Sequence, residues 1–148
     1  MAYRCGGVKK VKVVYSVKHV MSKPLISIDV EASVKDAVDL MVRKNIGALV
    51  TTQKGNPVGI LTERDILRLC ASGVLCENVK TTDIMNQPLI TIDYETPIGL
   101  AVKKMADNNI RRLLVTENGK LTAIVTERDL LRGTLEAFRI LEMALSSY

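Results

Sequence analysis

The chain has 148 residues, of which 47% are hydrophobic and only 3% aromatic, and its net charge is +5. This length suits one domain or two very small ones, with a core built from aliphatic side chains. The apolar runs are far shorter than the roughly 20 residues that a membrane span requires, so we expect a cytoplasmic protein. Three cysteines without CxxC spacing, together with a single histidine, argue against a disulfide framework, a metal site and cysteine catalysis.

The positive charge belongs to the N-terminal arm. Residues 1–28 contain six basic side chains and no acidic one, whereas the rest of the chain has 15 basic and 16 acidic residues. Residues 11–17 are apolar enough to form an additional strand. Such an arm is suited to contact the phosphates of a nucleic acid, although lysines also discourage an edge strand from pairing with other chains. The basic side chains at the start of the arm are Arg4, Lys9, Lys10 and Lys12.

An internal repeat organises the rest of the chain. Residues 24–29 match residues 88–93 at an offset of 64 positions, and the match continues without a gap as far as residues 62–65 and 126–129. Similarity at a fixed offset indicates one structural unit present twice. The predicted segments are a basic arm at 1–16, a first repeat at 17–73, a connector at 74–80, a second repeat at 81–133 and a helical extension at 134–148.

The first repeat is predicted to be strand–helix–strand–strand–helix. Val34, Ala37, Val38 and Met41 share one face of a helix that starts near Ser33. Turn residues at 54–57 separate two apolar runs, which is typical of a hairpin. In chain order, we expect a strand at 25–28, the helix from Ser33, strands at 48–52 and 58–61, and a second helix after Thr62.

The second repeat follows the same plan and ends in a longer helix. Pro97 is suited to the first turn of its first helix, and Asn118-Gly119 favours the positive φ angles of a hairpin turn. The last helix continues past Arg132 through Leu145, with an apolar face available to the N-terminal strand or to another subunit. A single copy cannot bury its apolar sheet face, so we predict an α+β fold in which the two sheets pack together.

With this organisation the chain resembles the CBS domain pair, also called the Bateman module, over about residues 17–135. The resemblance rests on Val20-Met21 with Pro24, on the copy Ile84-Met85 with Pro88, and on residues 59–65 with their copy at 123–129. It implies β-α-β-β-α repeats packed sheet to sheet with pseudo-twofold symmetry, and it implies a homodimer. It also implies a regulatory module without catalytic activity, which signals to a separate effector protein.

The resemblance further implies two clefts between the repeats that take AMP, ADP, ATP or S-adenosylmethionine as a regulatory ligand. The aspartate of one copy would accept hydrogen bonds from the ribose hydroxyls, the threonine would contact ribose or phosphate, and apolar residues of the other copy would enclose the adenine. The residues expected in cleft one are Ile60, Thr62, Arg64, Asp65, Leu89, Ile90, Thr96, Ile110, Arg111 and Arg112. Those expected in cleft two are Leu25, Ile26, Ala32, Ala37, Ile46, Gly47, Ala48, Ile124, Thr126, Arg128 and Asp129.

Two differences between the copies predict that the clefts are unequal. Arg111-Arg112 stands where the first copy has Gly47-Ala48, and arginine binds phosphate oxygens through two parallel hydrogen bonds. Ala123 replaces Gly59, which disfavours close approach of a ligand to the backbone in cleft two. We therefore expect cleft one to bind phosphates better.

Two other interpretations remain open. The Thr-x-x-Asp pattern is also that of a capping box at the start of a helix. The basic arm instead suggests a nucleic-acid or ribosome-associated binding protein, although no aromatic residues are interleaved with the basic ones for base stacking. An enzyme is not expected, since the chain contains no GxGxxG, GxxxxGK[ST], HExxH or GxSxG motif.

Overall fold

The computed structural model describes residues 15–146. The basic side chains Arg4, Lys9, Lys10 and Lys12, and residues 11–14 of the predicted N-terminal strand, lie outside the described residues. The strands and helices are β1 Ser27–Asp29, α1 Val34–Lys44, β2 Ala48–Gln53, β3 Asn56–Thr62, α2 Glu63–Ala71, β4 Thr91–Asp93, α3 Ile98–Asp107, β5 Arg112–Glu117, β6 Lys120–Thr126 and α4 Glu127–Ser146. Short 3-10 helices occupy Val17–His19, Cys76–Asn78 and Thr81–Asp83.

The strands form two sheets of three, in the orders β1-β2-β3 and β4-β5-β6. In each sheet the first strand is parallel to the second, and the second is antiparallel to the third. The registers of the two sheets agree at the offset of the repeat, since Val50 pairs with Ile60 and Leu114 pairs with Ile124. The predicted α+β fold of two β-α-β-β-α repeats is confirmed.

Local signals in the sequence account for the ends of several elements. Ser33 caps α1 through a reciprocal pair of hydrogen bonds with Asp36, and Asn45 ends this helix in the left-handed conformation with φ of 52°. Both hairpins turn through two residues with positive φ, Lys54-Gly55 in the first repeat and Asn118-Gly119 in the second.

Some predicted boundaries are wrong. Val17, at the end of the predicted N-terminal strand, instead begins a 3-10 helix, because the N–H of His19 folds back onto the carbonyl of Ser16. The first strand begins at Ser27, two residues later than predicted, and β3 begins at Asn56 because the turn needs only two residues. Pro97 is the N-cap of α3 and not a residue of its first turn.

Each repeat has its own core between its helices and one face of its sheet. The first core contains Ala37, Met41, Leu49 and Leu61, and the second is larger. Side chains alternate along a strand, so Val50 and Leu114 point to the sheet face that turns away from the core of their own repeat. Nevertheless, only 3% and 2% of their surfaces are exposed. Burial on both faces agrees with two sheets that pack against each other. The members of the second core are Val17, Ile92, Ile98, Ala101, Met105, Leu113, Val115, Ala123, Val125 and Leu130.

The segment that precedes each repeat lies on the other repeat. We call residues 16–22 lead segment 1 and residues 80–86 lead segment 2. Lead segment 1 packs on the second repeat, where Val17 donates to the carbonyl of Thr96 and belongs to the second core. Lead segment 2 packs on the first repeat, where Thr81 donates to the carbonyl of Ala32. This exchange ties the two repeats into one unit.

Candidate functional site

The Thr-x-x-Asp motif of each repeat lies where its last strand ends and its second helix begins. The backbone N–H and the hydroxyl of Thr62 both donate to Oδ2 of Asp65, at 2.8 and 2.7 Å. In the second repeat, Thr126 makes the same two bonds to Asp129 at 2.9 and 2.7 Å. The capping box predicted as the structural interpretation is therefore present in both copies. It fixes a carboxylate in the first turn of each helix, where the helix dipole favours negative charge.

The carboxylates of Asp65 and Asp129 differ in their other hydrogen-bond partners and in their burial. Asn86 of lead segment 2 donates from Nδ2 to Oδ2 of Asp65 at 2.8 Å, and Asp65 is only 8% exposed. Asp129 is half-buried, and its side chain accepts only from Thr126 among the described residues. The residue equivalent to Asn86 is Ser22, whose side chain makes no hydrogen bond to Asp129. Asp65 is thus engaged by the opposite repeat, and Asp129 is not.

The start of each middle strand lies beside the start of the second helix. The N–H of Glu63 donates to the carbonyl of Gly47, and that of Glu127 donates to the carbonyl of Arg111, both at 3.1 Å. Arg111 is largely exposed and its Nε lies 3.7 Å from a carboxylate oxygen of Glu127. Its guanidinium is therefore available to an anion at the surface.

Arg112 reaches across to the first repeat. A Cβ placed on Gly47 would lie 2.9 Å from Nη2 of Arg112 and 2.8 Å from Cδ of Glu63. Only glycine fits between these two side chains without displacing one of them. Residues predicted for cleft one and for cleft two therefore meet at this point, next to an acidic side chain that the sequence analysis did not assign to either cleft.

The remaining predicted site residues lie in extensions of the first strands, in or against the two cores, or at half-buried and exposed positions. The carbonyls of Ile26 and Ile90 accept hydrogen bonds from Val50 and Leu114, at 3.0 and 3.2 Å, so these residues continue the first strand of each sheet. Ala37 is completely buried in the core of the first repeat. Ile46 and Ile110 pack against the two cores. Leu25, Ala32, Ala48, Ile60, Leu89, Thr96 and Ile124 are half-buried, and Arg64 and Arg128 are exposed.

A small cavity adjoins Asp129 on the side of lead segment 1. Its volume is about 170 Å³, and its polar lining includes His19, Arg132 and Glu136. The ring of His19 stacks on Tyr15 with centroids 4.9 Å apart. The sequence analysis did not identify this cavity, because it forms only when lead segment 1 folds onto α4.

Between residues 15 and 146, no helix is long and apolar enough to cross a membrane. In the same range, no group of three or more His, Cys, Asp and Glu side chains is arranged to hold a metal ion.

The chain is similar in sequence to CBS domain proteins. A family profile of the CBS domain matches residues 17–72 and 82–136. An uncharacterized protein of Methanopyrus kandleri is 42% identical over 95 residues, which is 62% of this chain and 48% of that protein. The mitochondrial CBS domain-containing protein CBSX3 of Arabidopsis thaliana is 34% identical over 122 residues, or 78% and 59% of the two chains. The chain thus spans about half the length of these curated relatives.

Three solved structures share this architecture. An uncharacterized conserved protein from Pyrococcus horikoshii is 34% identical, with a TM-score of 0.75, and the match covers 82% of this chain and 92% of that one. A CBS domain protein from Pyrobaculum aerophilum complexed with AMP is 29% identical, with a TM-score of 0.69 and coverage of 77% and 88%. The CBS domain pair of protein MJ0100, in complex with 5′-methylthioadenosine and S-adenosyl-L-methionine, is 28% identical, with a TM-score of 0.72 and coverage of 80% and 94%.

Proposed function

The chain belongs to the CBS domain family, and from this premise we propose that it is a regulatory module that binds an adenosine-containing ligand between its two repeats. Its ligand is AMP, ADP, ATP or S-adenosylmethionine, bound reversibly and not converted. Support comes from the two solved relatives that contain AMP or S-adenosylmethionine. No residue of the proposed site has a catalytic role.

One observation carries this proposal. Each repeat presents a carboxylate whose Oδ2 is fixed by the preceding threonine, at 2.7 Å in both copies. In both copies the second oxygen, Oδ1, accepts no hydrogen bond from the described residues, and Asp129 is the less buried of the two. A carboxylate oxygen that is held in place and left open is suited to accept hydrogen bonds from the hydroxyls of a ribose.

Arg111, the exposed arginine directly before β5, adds a positive charge to the residues expected in cleft one. Arg111 pairs only loosely with Glu127, at 3.7 Å, and both side chains are more than half exposed. An exposed pair of this kind contributes little to stability, so a phosphate can replace Glu127 at small cost. We assign Arg111 to the phosphate end of a nucleotide.

The ligand would signal by changing the packing between the two repeats. Each lead segment belongs to one repeat in sequence and packs on the other in space, so a ligand between the repeats also acts on these segments. A partner protein that binds the two states with different affinity would read this change. We propose that this effector is a separate chain.

We also propose that the protein is a homodimer. Helix α4 carries a stripe of apolar side chains that are at least 48% exposed. At helical spacing, such a stripe is suited to pack on a second copy of itself. This apolar stripe of α4 consists of Leu131, Leu135, Phe138, Leu141 and Leu145.

A second candidate function is nucleic-acid or ribosome binding by the basic arm. The observation in its favour is the concentration of six basic and no acidic side chains within residues 1–28. Binding of this kind weakens steeply as salt increases, because it releases counterions from phosphates. Adenosine binding at Asp65 or Asp129 should persist when residues 1–12 are removed, whereas nucleic-acid binding should be lost.

Calorimetric titration of the nucleotide-stripped protein tests the proposal. AMP, ADP, ATP and S-adenosylmethionine are each titrated into the wild type and into the double variant Asp65→Ala/Asp129→Ala. Saturable binding of at least one ligand that disappears in the double variant supports the proposal. Binding that survives in the double variant, or no binding of any of the four ligands, contradicts it.

A further inference from the structure

We propose that Asn86 makes the two clefts unequal, because it occupies the carboxylate of Asp65 and leaves Asp129 as the first site that an adenosine ligand fills. This inference rests on the proposed function and assigns a specificity-determining role to a residue outside the Thr-x-x-Asp motif. It reverses the order of the clefts expected from Arg111 and Arg112.

The carboxylate of Asp65 is already engaged by neighbouring side chains. Its Oδ2 accepts three hydrogen bonds, two from Thr62 and one from Nδ2 of Asn86 at 2.8 Å. The nearest cation, Nη1 of Arg68, lies 3.9 Å from its other oxygen, Oδ1. Only 8% of Asp65 is exposed, and the amide of Asn86 lies on its Oδ2, so we infer that a ribose has to displace Asn86 to make full contact with this carboxylate.

The backbone of lead segment 2 holds Asn86 in this place. Asn86 donates to the carbonyl of Ile60 at 2.8 Å and accepts from its N–H at 3.0 Å. Gly59 allows the close approach, because a Cβ there would lie 2.9 Å from both the carbonyl oxygen of Asn86 and the sulfur of Met85. Thr51 donates its hydroxyl to the same sulfur at 2.9 Å. The amide of Asn86 is therefore positioned before any ligand arrives.

The second repeat has the same backbone arrangement without the blocking side chain. Ser22 exchanges backbone hydrogen bonds with Ile124 at 2.8 and 3.1 Å, as Asn86 does with Ile60. However, the polar atom of a serine side chain is one bond closer to the backbone than the amide nitrogen of asparagine, and the hydroxyl of Ser22 makes no hydrogen bond to Asp129. The carboxylate of Asp129 therefore remains accessible.

Binding at cleft one would then be coupled to lead segment 2. A ligand that displaces Asn86 loosens the end of a segment whose other end is fixed to the first repeat, through Thr81 and the ion pair between Lys80 and Glu31. Cleft two would fill without this rearrangement. Lead segment 2 would therefore move when a ligand enters cleft one, and not when a ligand enters cleft two.

The exchange of Asn86 and Ser22 gives a matched test. Single-cleft proteins are prepared as Asp129→Ala, which retains cleft one, and Asp65→Ala, which retains cleft two. AMP, ADP, ATP and S-adenosylmethionine are titrated separately into each by calorimetry. Asn86→Ser is then added to Asp129→Ala, and Ser22→Asn to Asp65→Ala. Asn78→Ser, at an exposed connector position, is the control substitution, and thermal unfolding shows that each variant is folded.

We expect Asp65→Ala to bind as the wild type does and Asp129→Ala to bind at least about tenfold more weakly, which corresponds to about 1.4 kcal/mol. This is the scale of one hydrogen bond to a charged group. Asn86→Ser should restore about tenfold in the Asp129→Ala protein, Ser22→Asn should weaken binding by Asp65→Ala, and Asn78→Ser should change nothing.

Two results would overturn the inference, and they differ from failure of the proposed function. Binding by Asp129→Ala that is unchanged by Asn86→Ser shows that Asn86 does not control cleft one. Loss of binding in Asp65→Ala with retention in Asp129→Ala shows that cleft one fills first. Both results leave the adenosine-binding function intact. If none of the four ligands binds the wild type or any variant, the proposed function fails and this inference fails with it.

Discussion

Ser22 donates its N–H to the carbonyl of Ile124 at 2.8 Å and accepts from the N–H of Ile124 at 3.1 Å, although the two residues belong to different repeats. Asn86 and Ile60 form the same pair of bonds at the symmetry-related position. Each sheet is thus extended by a segment that precedes the other repeat. The two repeats should therefore fold and unfold as one cooperative unit.

A fragment that contains only the first repeat should depend on lead segment 2. Without it, the carbonyls of Val30 and Ala32 lose their donors in Thr82 and Thr81, and unpaired backbone groups oppose folding. We expect the fragment 23–86 to retain more helical circular dichroism signal than the fragment 23–79, although neither should match the stability of the whole pair. Equal signals from the two fragments would contradict the structural role of the lead segment.

The close approach of lead segment 2 to β3 should make Gly59 sensitive to substitution. In Gly59→Ala the new Cβ would lie 2.8 Å from Oγ1 of Thr51 and 2.9 Å from the carbonyl of Asn86. Overpacking of this kind costs about 1–3 kcal/mol of unfolding free energy. Chemical denaturation measures the loss.

Gly99 provides the matched control for that substitution. It lies in α3, and a Cβ there would meet nothing within 4 Å. Gly99→Ala should leave the stability unchanged or raise it by up to about 1 kcal/mol, because alanine favours the helix. If Gly59→Ala and Gly99→Ala behave alike, lead segment 2 does not pack as described.

The ion pair between Lys80 and Glu31 should contribute to stability only below alkaline pH. The hydrogen bond from Nζ of Lys80 to Glu31 raises the pKa of Lys80 above its ordinary value. A group whose pKa is higher in the folded state stabilises the protein below its unfolded pKa, here about 10.4, and this contribution is lost as the pH rises through the folded pKa.

Comparison with Lys80→Gln isolates this effect. The unfolding free energy of the wild type should exceed that of Lys80→Gln at pH 8, and the difference should shrink above about pH 10.4. Lys120→Gln, at an exposed position, is the control for general loss of positive charge. A difference between the wild type and Lys80→Gln that does not change with pH would show that this ion pair is not formed in solution.

The apolar stripe of α4 should mediate self-association. Phe138 lies at its centre and is 66% exposed. Phe138→Glu places a charge in the proposed contact, and the cost of burying an unpaired charge should leave a monomer. Sedimentation velocity measures the mass, with Val42→Glu on α1 as an equally exposed control. A wild-type monomer, or a dimer that persists in Phe138→Glu, would contradict this role.

The sequence was sufficient to predict features that depend on local chemistry. The apolar face of α1, the helix start near Ser33 and the Asn118-Gly119 turn each depend on a few neighbouring residues, so their pattern can be read directly. The repeat extended these predictions from one copy to the other. The long helix α4 was predicted as well, because its apolar periodicity continues past the end of the repeat.

The exchange of the lead segments could not be predicted in this way. The bonds between Ser22 and Ile124 join backbone groups about a hundred residues apart, and backbone pairing at that separation leaves no pattern in side-chain type. The bond from Asn86 to Asp65 joins two side chains, but it was missed because only the backbone pairing of Asn86 with Ile60 brings them together. Position 86 does differ from Ser22 in an otherwise well-matched stretch, and this was the signal that could have drawn attention to it.

The structure also changes the meaning of Gly59. The sequence comparison associated Gly59 and its counterpart Ala123 with approach of a ligand to the backbone. In the structure the neighbour of Gly59 is lead segment 2, with the carbonyl of Asn86 and the sulfur of Met85 closest. A glycine in the sequence indicates that another group can pack closely against the backbone, but only the fold identifies that group.

A crystal structure of the protein grown with AMP tests the central claim most directly. We predict AMP between the two repeats, with its ribose hydroxyls donating to the carboxylate of Asp129 and with Asn86 still bonded to Asp65 when one cleft is filled. AMP bound away from both Asp65 and Asp129, or crystals that contain none of the four ligands when grown with each at saturating concentration, would contradict the claim that this CBS pair is an adenosine-ligand sensor.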